Sequence, residues 1–424
     1  METTNSNIPA AAPKGPLLFS IAALVMLCLA TGWLALKPYL LAEPQITPES
    51  TAWVYLIIYG FALSGLYGLV YRGVSVLSGM RLFSSKMVFL HVVFHLAGVI
   101  LLILSAYQPD QPPILVGQGL LACGVLTFLL NLAASFRREG RPNVSSAFLV
   151  SSLLWLGIMI VAGIPFAKTS LIPFFEGTDW APATLMLCLT GAVLNGIFGV
   201  SLGTTARRIG SRGEGLPLSW LAFILLNSGV AWLFAAITFG PPVFILICAG
   251  VYLLGQLVFL AGFTVMLQRR DEEVLEWDSK ILYTSLWMLP VCLGLFVFAV
   301  WTRQVQAEAP LKPEAAALLA LVLGVCVPAM VATFYQISSL LRGEASGEEA
   351  PLMVKLSQNV LLASFFNYAI GVLMLIPGAW LGIEKMLGLG TLFLIVGSVG
   401  FLGNFLFMLR PANRPASEQA AQAA

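Results

Sequence analysis

The sequence predicts an all-α integral membrane protein with twelve transmembrane helices as three four-helix repeats (4+4+4) and both termini cytoplasmic. Three observations carry this expectation. First, 59% of the 424 residues are hydrophobic and only 10% are charged, against about 25% charged in an average soluble domain. Mean hydropathy is +0.91, so lipid is the chain's main solvent. Second, the apolar stretches are continuous and do not alternate, which selects helices over barrel strands. Third, glycines recur at a constant spacing along the chain. The net charge of +2 gives no basic or acidic excess, so nucleic acid is not an expected partner.

Taken in order, a span needs about 20 mostly apolar residues. Span 1 is expected at 16–39; its apolar run is too long for a signal-peptide core and no A-x-A site closes it. Span 2 (52–71) carries Gly60, Gly65 and Gly68. Span 3 (85–107) carries Gly98 and both histidines. Span 4 (114–136) carries Gly119, Gly124 and Asn131. Spans 5 to 8 are expected at 146–167, 180–205, 217–239 and 241–267, and spans 9 to 12 at 281–302, 315–340, 356–377 and 387–409. Residues 1–14 and 411–424 are short polar tails expected to be disordered. Residues 15–410 are expected to form one membrane domain, with repeats at about 15–140, 141–272 and 273–410.

Lys and Arg set the orientation. Seventeen of the 22 lie before span 1, after an even-numbered span or at the C-terminus, among them Arg72, Arg137, Arg138, Arg207, Arg208, Arg269 and Arg270. Only Lys37, Lys168, Arg303, Lys312 and Lys385 lie on the opposite side. Both termini are therefore expected on the cytoplasmic side of a cell membrane, the bacterial inner membrane being the expected location.

The repeat can be counted directly. Gly60, Gly65 and Gly68 of span 2 are each 131 residues before Gly191, Gly196 and Gly199 of span 6. The same offset relates Gly98 to Gly229, Gly119 to Gly250, and Gly124 to Gly255. A third copy follows at offset 133, with Gly324, Ala329 and Ala332 in span 10. After a longer polar loop the offset becomes 142, relating Gly229 to Gly371 and Gly255 to Gly397. In lipid, small residues let helix backbones approach closely, so the pattern reads as a packing face repeated three times.

Twelve helices in three four-helix arcs, with the Gly-rich segments YGFALSGLYGLVYR (59–72) and TGAVLNGIFGVSLGT (190–204), resemble the catalytic subunit of the haem-copper oxidase superfamily. That group includes cytochrome c oxidases (subunit I), nitric oxide reductases and NnrS-type membrane proteins. The resemblance covers about residues 16–410. It implies a three-arc bundle and, in the family, histidine ligands to haem and copper on helices equivalent to spans 2, 6, 7 and 10. No histidine occurs in any of those spans. The expectation is a divergent member without oxygen- or nitric-oxide-reducing activity, and no catalytic residue is assigned.

The only histidines, His91 and His95, stand four residues apart on one face of span 3, with Met87 four residues earlier. Imidazole and thioether suit copper or haem iron. His91, His95 and Met87 are thus the candidate metal-ligating set, with haem or copper as the cofactor they would take. Two neutral histidines hydrogen-bonded inside the bundle, or a lipid- or quinone-headgroup contact, are the other readings.

Amides recur within spans: Gln118, Asn131, Asn195, Asn227, Gln256, Asn367 and Asn404. They read as interhelical bonds or as the lining of a polar cavity, with Asn195 and Asn227 singled out because they fall on spans 6 and 7. No Asp or Glu falls in the middle of a span; Asp179, Asp278, Glu314 and Glu384 fall at span ends. This argues against a proton pump or proton-coupled carrier. The six cysteines form no C-x-x-C pair and read as small inert hydrophobes. The expected function is an accessory or sensory membrane subunit that could bind one haem or copper. The alternatives are a transporter of a neutral or hydrophobic solute and a purely structural subunit. The lipid bilayer is the expected environment, and other membrane subunits are the expected partner class.

Overall fold

In the computed structural model, the described residues are 14–41, 47–78, 82–107, 113–136, 143–163, 185–210, 217–239, 241–270, 275–305, 312–343 and 350–409. Both expected tails apart from Lys14, Lys168, Asp179 and the first residues of span 6 lie outside them. The described residues are 94% helical, without strand.

Among the described residues the helices group into twelve rods in chain order. They are α1 (Lys14–Leu36), α2 (Pro48–Tyr55 continuing through Leu56–Leu63 and Ser64–Ser78), α3 (Ser85–Ser105) and α4 (Pro113–Phe136). Next come α5 (Val144–Gly163), α6 (Leu187–Val193 and Leu194–Arg208), α7 (Pro217–Phe239) and α8 (Pro242–Gln268). The last four are α9 (Trp277–Trp287 and Leu289–Val305), α10 (Lys312–Leu319, Ala320–Cys326 and Val327–Gly343), α11 (Ala350–Leu381) and α12 (Glu384–Met408). Eleven contain a stretch long and apolar enough to cross a membrane; α5 contributes only the shorter apolar stretch Val144–Met159. The chain is therefore a multi-pass helical membrane protein.

Local chemistry explains several boundaries. The start of α2 is a capping box: Thr47 Oγ1 accepts from the Ser50 N–H at 3.1 Å, and Ser50 Oγ accepts from the Thr47 N–H at 2.9 Å. Pro48 fills the first helical position, where its missing N–H costs nothing. Ser84 caps α3 by accepting from the Met87 N–H. The expected span 9 is interrupted at Met288, beside Pro290, which cannot donate a helix bond. Helix α1 begins at Lys14, inside the expected tail, and α11 extends beyond 356–377 at both ends.

Three helices, α2, α6 and α10, form the centre, each packing against the other two. Their most apolar windows are 83–100% buried, against 33–44% for the other eight candidate spans. Each central helix contains a π-helical stretch: Leu56–Leu63, Leu187–Val193 and Ala320–Cys326. The starting residues are 131 and 133 positions apart, and the fifth residue of each stretch is a glycine: Gly60, Gly191 and Gly324. A π stretch closes i→i+5 bonds and bulges the helix.

Around the centre, α3 packs on α4, α7 on α8 and α11 on α12 as tight hairpins. Helices α1, α5 and α9 pack on α2, α6 and α10 respectively. The ring closes through α4 with α5, α8 with α9, and α12 with α1. Backbone approach at the hairpin crossings explains two of the glycine pairs. A Cβ on Gly98 would stand 2.9 Å from Gly117 O, and one on Gly371 would stand 2.8 Å from Gly390 O. The outward faces carry exposed large apolar residues such as Leu115, Leu130, Ile224, Leu373 and Val396. Such a surface is tenable against hydrocarbon and not against water.

Candidate functional site

Helix α3 places His91 and His95 inward, toward α1, α2 and α4. Both rings are fully buried. His95 Nε2 is hydrogen-bonded to Ser64 Oγ at 2.9 Å, and His91 Nδ1 to Tyr71 Oη at 3.3 Å. The rings of Phe19, Tyr67 and Phe128 surround His91 at centroid distances of 4.6, 4.3 and 5.3 Å. Gly124 on α4 leaves room for this ring: an added Cβ would lie 3.2 Å from His91 Cδ2. The α3 N-terminus is held to α4 by Asn131, whose Oδ1 accepts from the Ser84 N–H at 3.0 Å and whose Nδ2 donates to Ser84 O at 3.1 Å. Asn404 repeats half of this clamp by donating to Ser357 O at 2.8 Å.

A copper centre needs several nitrogen or sulfur donors converging on one point, and a haem needs at least one free axial donor with room for the macrocycle. Here one nitrogen of each imidazole is bonded to a hydroxyl, and the rings facing the pair are aromatic. Only His91 Nε2 is a buried ring nitrogen with no partner. Met87, the third member of the expected set, is half-buried. Among the described residues no group of three or more His, Cys, Asp and Glu could hold a metal ion. The pocket is left with one free imidazole nitrogen, His91 Nε2, among aromatic rings and hydroxyls.

The amides divide into two classes. Asn195 and Asn227 do come together. Asn195 Nδ2 donates to Gly191 O at 2.7 Å, and Asn227 Nδ2 donates to Phe223 O at 2.9 Å and to Asn195 Oδ1 at 3.4 Å. Asn227 Oδ1 accepts from Trp155 Nε1 at 2.8 Å and from the Ser151 hydroxyl. The cluster ties α5, α6 and α7 together with its polar capacity consumed, as interhelical glue does. Asn131, Asn195, Gln256 and Asn404 are buried as expected, but Gln118, Asn227 and Asn367 are only half-buried. Asn367 bonds only its own helix, at Ala363 O. In a helix that is apolar all round, the sequence period does not separate the lipid face from the inner face.

A further polar network was not singled out from the sequence. Asp278, in the first turn of α9, is fully buried and pairs with Arg208 at the end of α6. Arg208 also pairs with the more exposed Glu276. Gln358 of α11 donates to Asp278 Oδ2 at 3.2 Å, and Gln336 of α10 donates to Ser279 Oγ at 3.1 Å. Gln336 Oε1 accepts from Thr204 at 3.0 Å and Thr205 at 3.3 Å. Nearby, Arg72 of α2 donates to Ser338 Oγ at 2.9 Å and lies 5.8 Å from the Phe405 ring centroid. Arg72 and Gln336 are 264 residues apart, the summed offset of the central helices. That register was the available signal for the network.

The chain matches no protein-family model and no curated protein sequence.

Proposed function

We propose that this chain is a non-catalytic membrane protein of the haem-copper oxidase architecture. In this reading three four-helix units each contribute one helix to a central trio, both termini are cytoplasmic, and the protein serves as an accessory or sensory subunit in a bacterial-type inner membrane. The observation that carries it is the recurrence of a π stretch with glycine at its fifth residue in α2, α6 and α10, at offsets of 131 and 133. The matching hairpins and ring contacts support the same threefold grouping. A carrier made of two six-helix halves would instead relate α1 to α7 and would have no reason for three equivalent inner helices.

The non-catalytic part rests on the residues. Spans 2, 6, 7 and 10 contain no histidine, and the histidines of α3 each engage a hydroxyl through one ring nitrogen, His95 with Ser64 and His91 with Tyr71, within an aromatic cage. Their role in this reading is to fix α2 against α3.

The test is purification of the full chain in detergent, followed by an absorption spectrum and metal analysis. A colourless, metal-free, monodisperse protein is the expected result. A Soret band or stoichiometric copper that is lost in His91→Ala would overturn the non-catalytic reading and restore the metal site on α3.

A further inference from the structure

The hairpins α3–α4, α7–α8 and α11–α12 occupy equivalent places around the centre, yet their outward faces are not alike. On α11, Asn359, Ala363 and Asn367 stand at intervals of four residues and share one face of the helix. Asn359 and Ala363 are exposed, and Asn367 is half-buried beside exposed Phe366 and Ile370. At the offset of 142, the α7 residues matching Ala363 and Asn367 are Leu221 and Leu225. A further 131 residues back, those of α3 are Leu90 and Phe94. Leu221 and Leu90 are exposed, and Leu225 and Phe94 are half-buried. The same surface is thus built twice from bulky apolar side chains, and on α11 from a small residue and an amide.

Depth makes that amide costly. The membrane-spanning stretch of α11 is Ser357–Leu381, so Asn367 lies two residues, ~3 Å along the axis, from its middle. Its Nδ2 donates to Ala363 O at 2.9 Å, on the exposed side of the helix. That satisfies one of the two N–H groups. Among the described residues, Oδ1 and the second N–H have no partner, and hydrocarbon supplies none. Asn359 stands near the end of the stretch, where water and headgroups are within reach. Gln118 also keeps a free oxygen, but that Oε1 is buried in the bundle.

We propose that this face of α11 is a homodimer interface. A second copy of the chain packs its own α11 alongside in parallel, and the two Asn367 side chains pair reciprocally, each Oδ1 accepting from the other Nδ2. An amide is its own complement, because it carries both an acceptor and a donor. Copies of one chain insert in one orientation, so a two-fold axis along the membrane normal brings Asn367 to Asn367 at equal depth. A different protein would need its own amide or hydroxyl at that depth; a second copy supplies it by symmetry. Ala363, one turn away, lets the two backbones approach, as small residues do at helix crossings in membranes. The proposal does not depend on the oxidase resemblance, and it stands or falls separately from the spectrum of the purified protein.

The test uses the full chain labelled at its C-terminus with a donor or an acceptor fluorophore and reconstituted in phosphatidylethanolamine/phosphatidylglycerol vesicles. Energy transfer should persist on dilution in lipid and fall when unlabelled chain is added. Asn367→Leu, which installs the residue of α7, should weaken self-association about tenfold, the effect of one lost interhelical amide pair. Ala363→Leu should weaken it comparably by bulk, and Asn367→Gln, which keeps donor and acceptor, should retain most of it. Both Leu variants should stay monodisperse in detergent, since α7 already carries leucine at Leu221 and Leu225. Cross-linking locates the interface. With the exposed Cys123 replaced by alanine, Ala363→Cys should give an oxidised dimer, and Leu221→Cys should not. If a Leu variant does not fold, the cross-linking pair decides the matter. Energy transfer that only tracks protein density in the lipid, self-association unchanged in Asn367→Leu, or equal cross-linking at the two cysteine positions would each overturn the proposal.

Discussion

Replacing Arg208 should destabilise the bundle far more than replacing its more exposed partner, Glu276. Arg208 holds two carboxylates that differ in one respect: Asp278 has a side chain 0% exposed, and Glu276 one 41% exposed. Arg208→Met strands the Asp278 charge inside the protein, and removing one partner of a buried pair costs about 3–5 kcal/mol. The Ser279 N–H at 2.6 Å and Gln358 Nε2 at 3.2 Å remain to hold that carboxylate, so the lower end, ~3 kcal/mol, is expected. Asp278→Asn removes the charge together with its partner's need and should cost about 1–2 kcal/mol, because Arg208 keeps Glu276. Glu276→Gln should cost no more than ~1 kcal/mol, as exposed pairs do. The double variant Arg208→Met/Asp278→Asn should lose less than the sum of the singles, with a coupling of about 1–3 kcal/mol. The assay is reversible SDS titration in mixed micelles, read by tryptophan fluorescence. Equal losses in Glu276→Gln and Asp278→Asn, a loss below ~1 kcal/mol in Arg208→Met, or simple additivity in the double variant would refute this account.

Three further outcomes follow from the packing. Gly98→Ala should cost about 1–3 kcal/mol by overpacking, since its Cβ would sit 2.9 Å from Gly117 O, whereas Gly119→Ala, with nothing within 4 Å, should be neutral or slightly stabilising in the same titration. Ser64→Ala should cost about 1–3 kcal/mol by leaving His95 Nε2 unpaired, but Tyr67→Phe should be neutral or stabilising, because the Tyr67 hydroxyl already lacks a partner. Asn131→Leu should loosen the start of α3, seen as faster amide exchange at residues 85–88, with α7 unaffected.

The helices were legible because hydropathy reports directly on solvation by lipid, and the glycine register aligns Gly60 of α2 with Gly191 of α6 at one offset. The π stretches were not legible. Their i→i+5 bonding leaves no hydropathic mark, although Gly60, Gly191 and Gly324 already stood in register. Placing His91 and His95 on one face needed only helical spacing. Identifying Ser64 and Tyr71 as their partners needed the crossing of α2 and α3, which sequence separation hides. Gln118 and Asn367 were read as interior because any amide in a span looks expensive; at the half-buried position of Asn367 the amide bonds its own helix at Ala363 O, which makes that cost smaller. Asp278 sat where expected, at a helix start, but its complete burial depends on Arg208, 70 residues away, and Gln358, 80 residues away.

The contact of α12 with α1 has a bearing on assembly. A ring that ends against its own first helix cannot be sealed while the chain is still being made. Until Glu384–Met408 has entered the membrane, the face of α1 around Gly32, which ends up against Ile395, has only lipid or another protein to cover it. The seam between first and last helix is therefore the last joint to close. A chain cut before α12 would keep its central trio and present that uncovered face to whatever shares its bilayer.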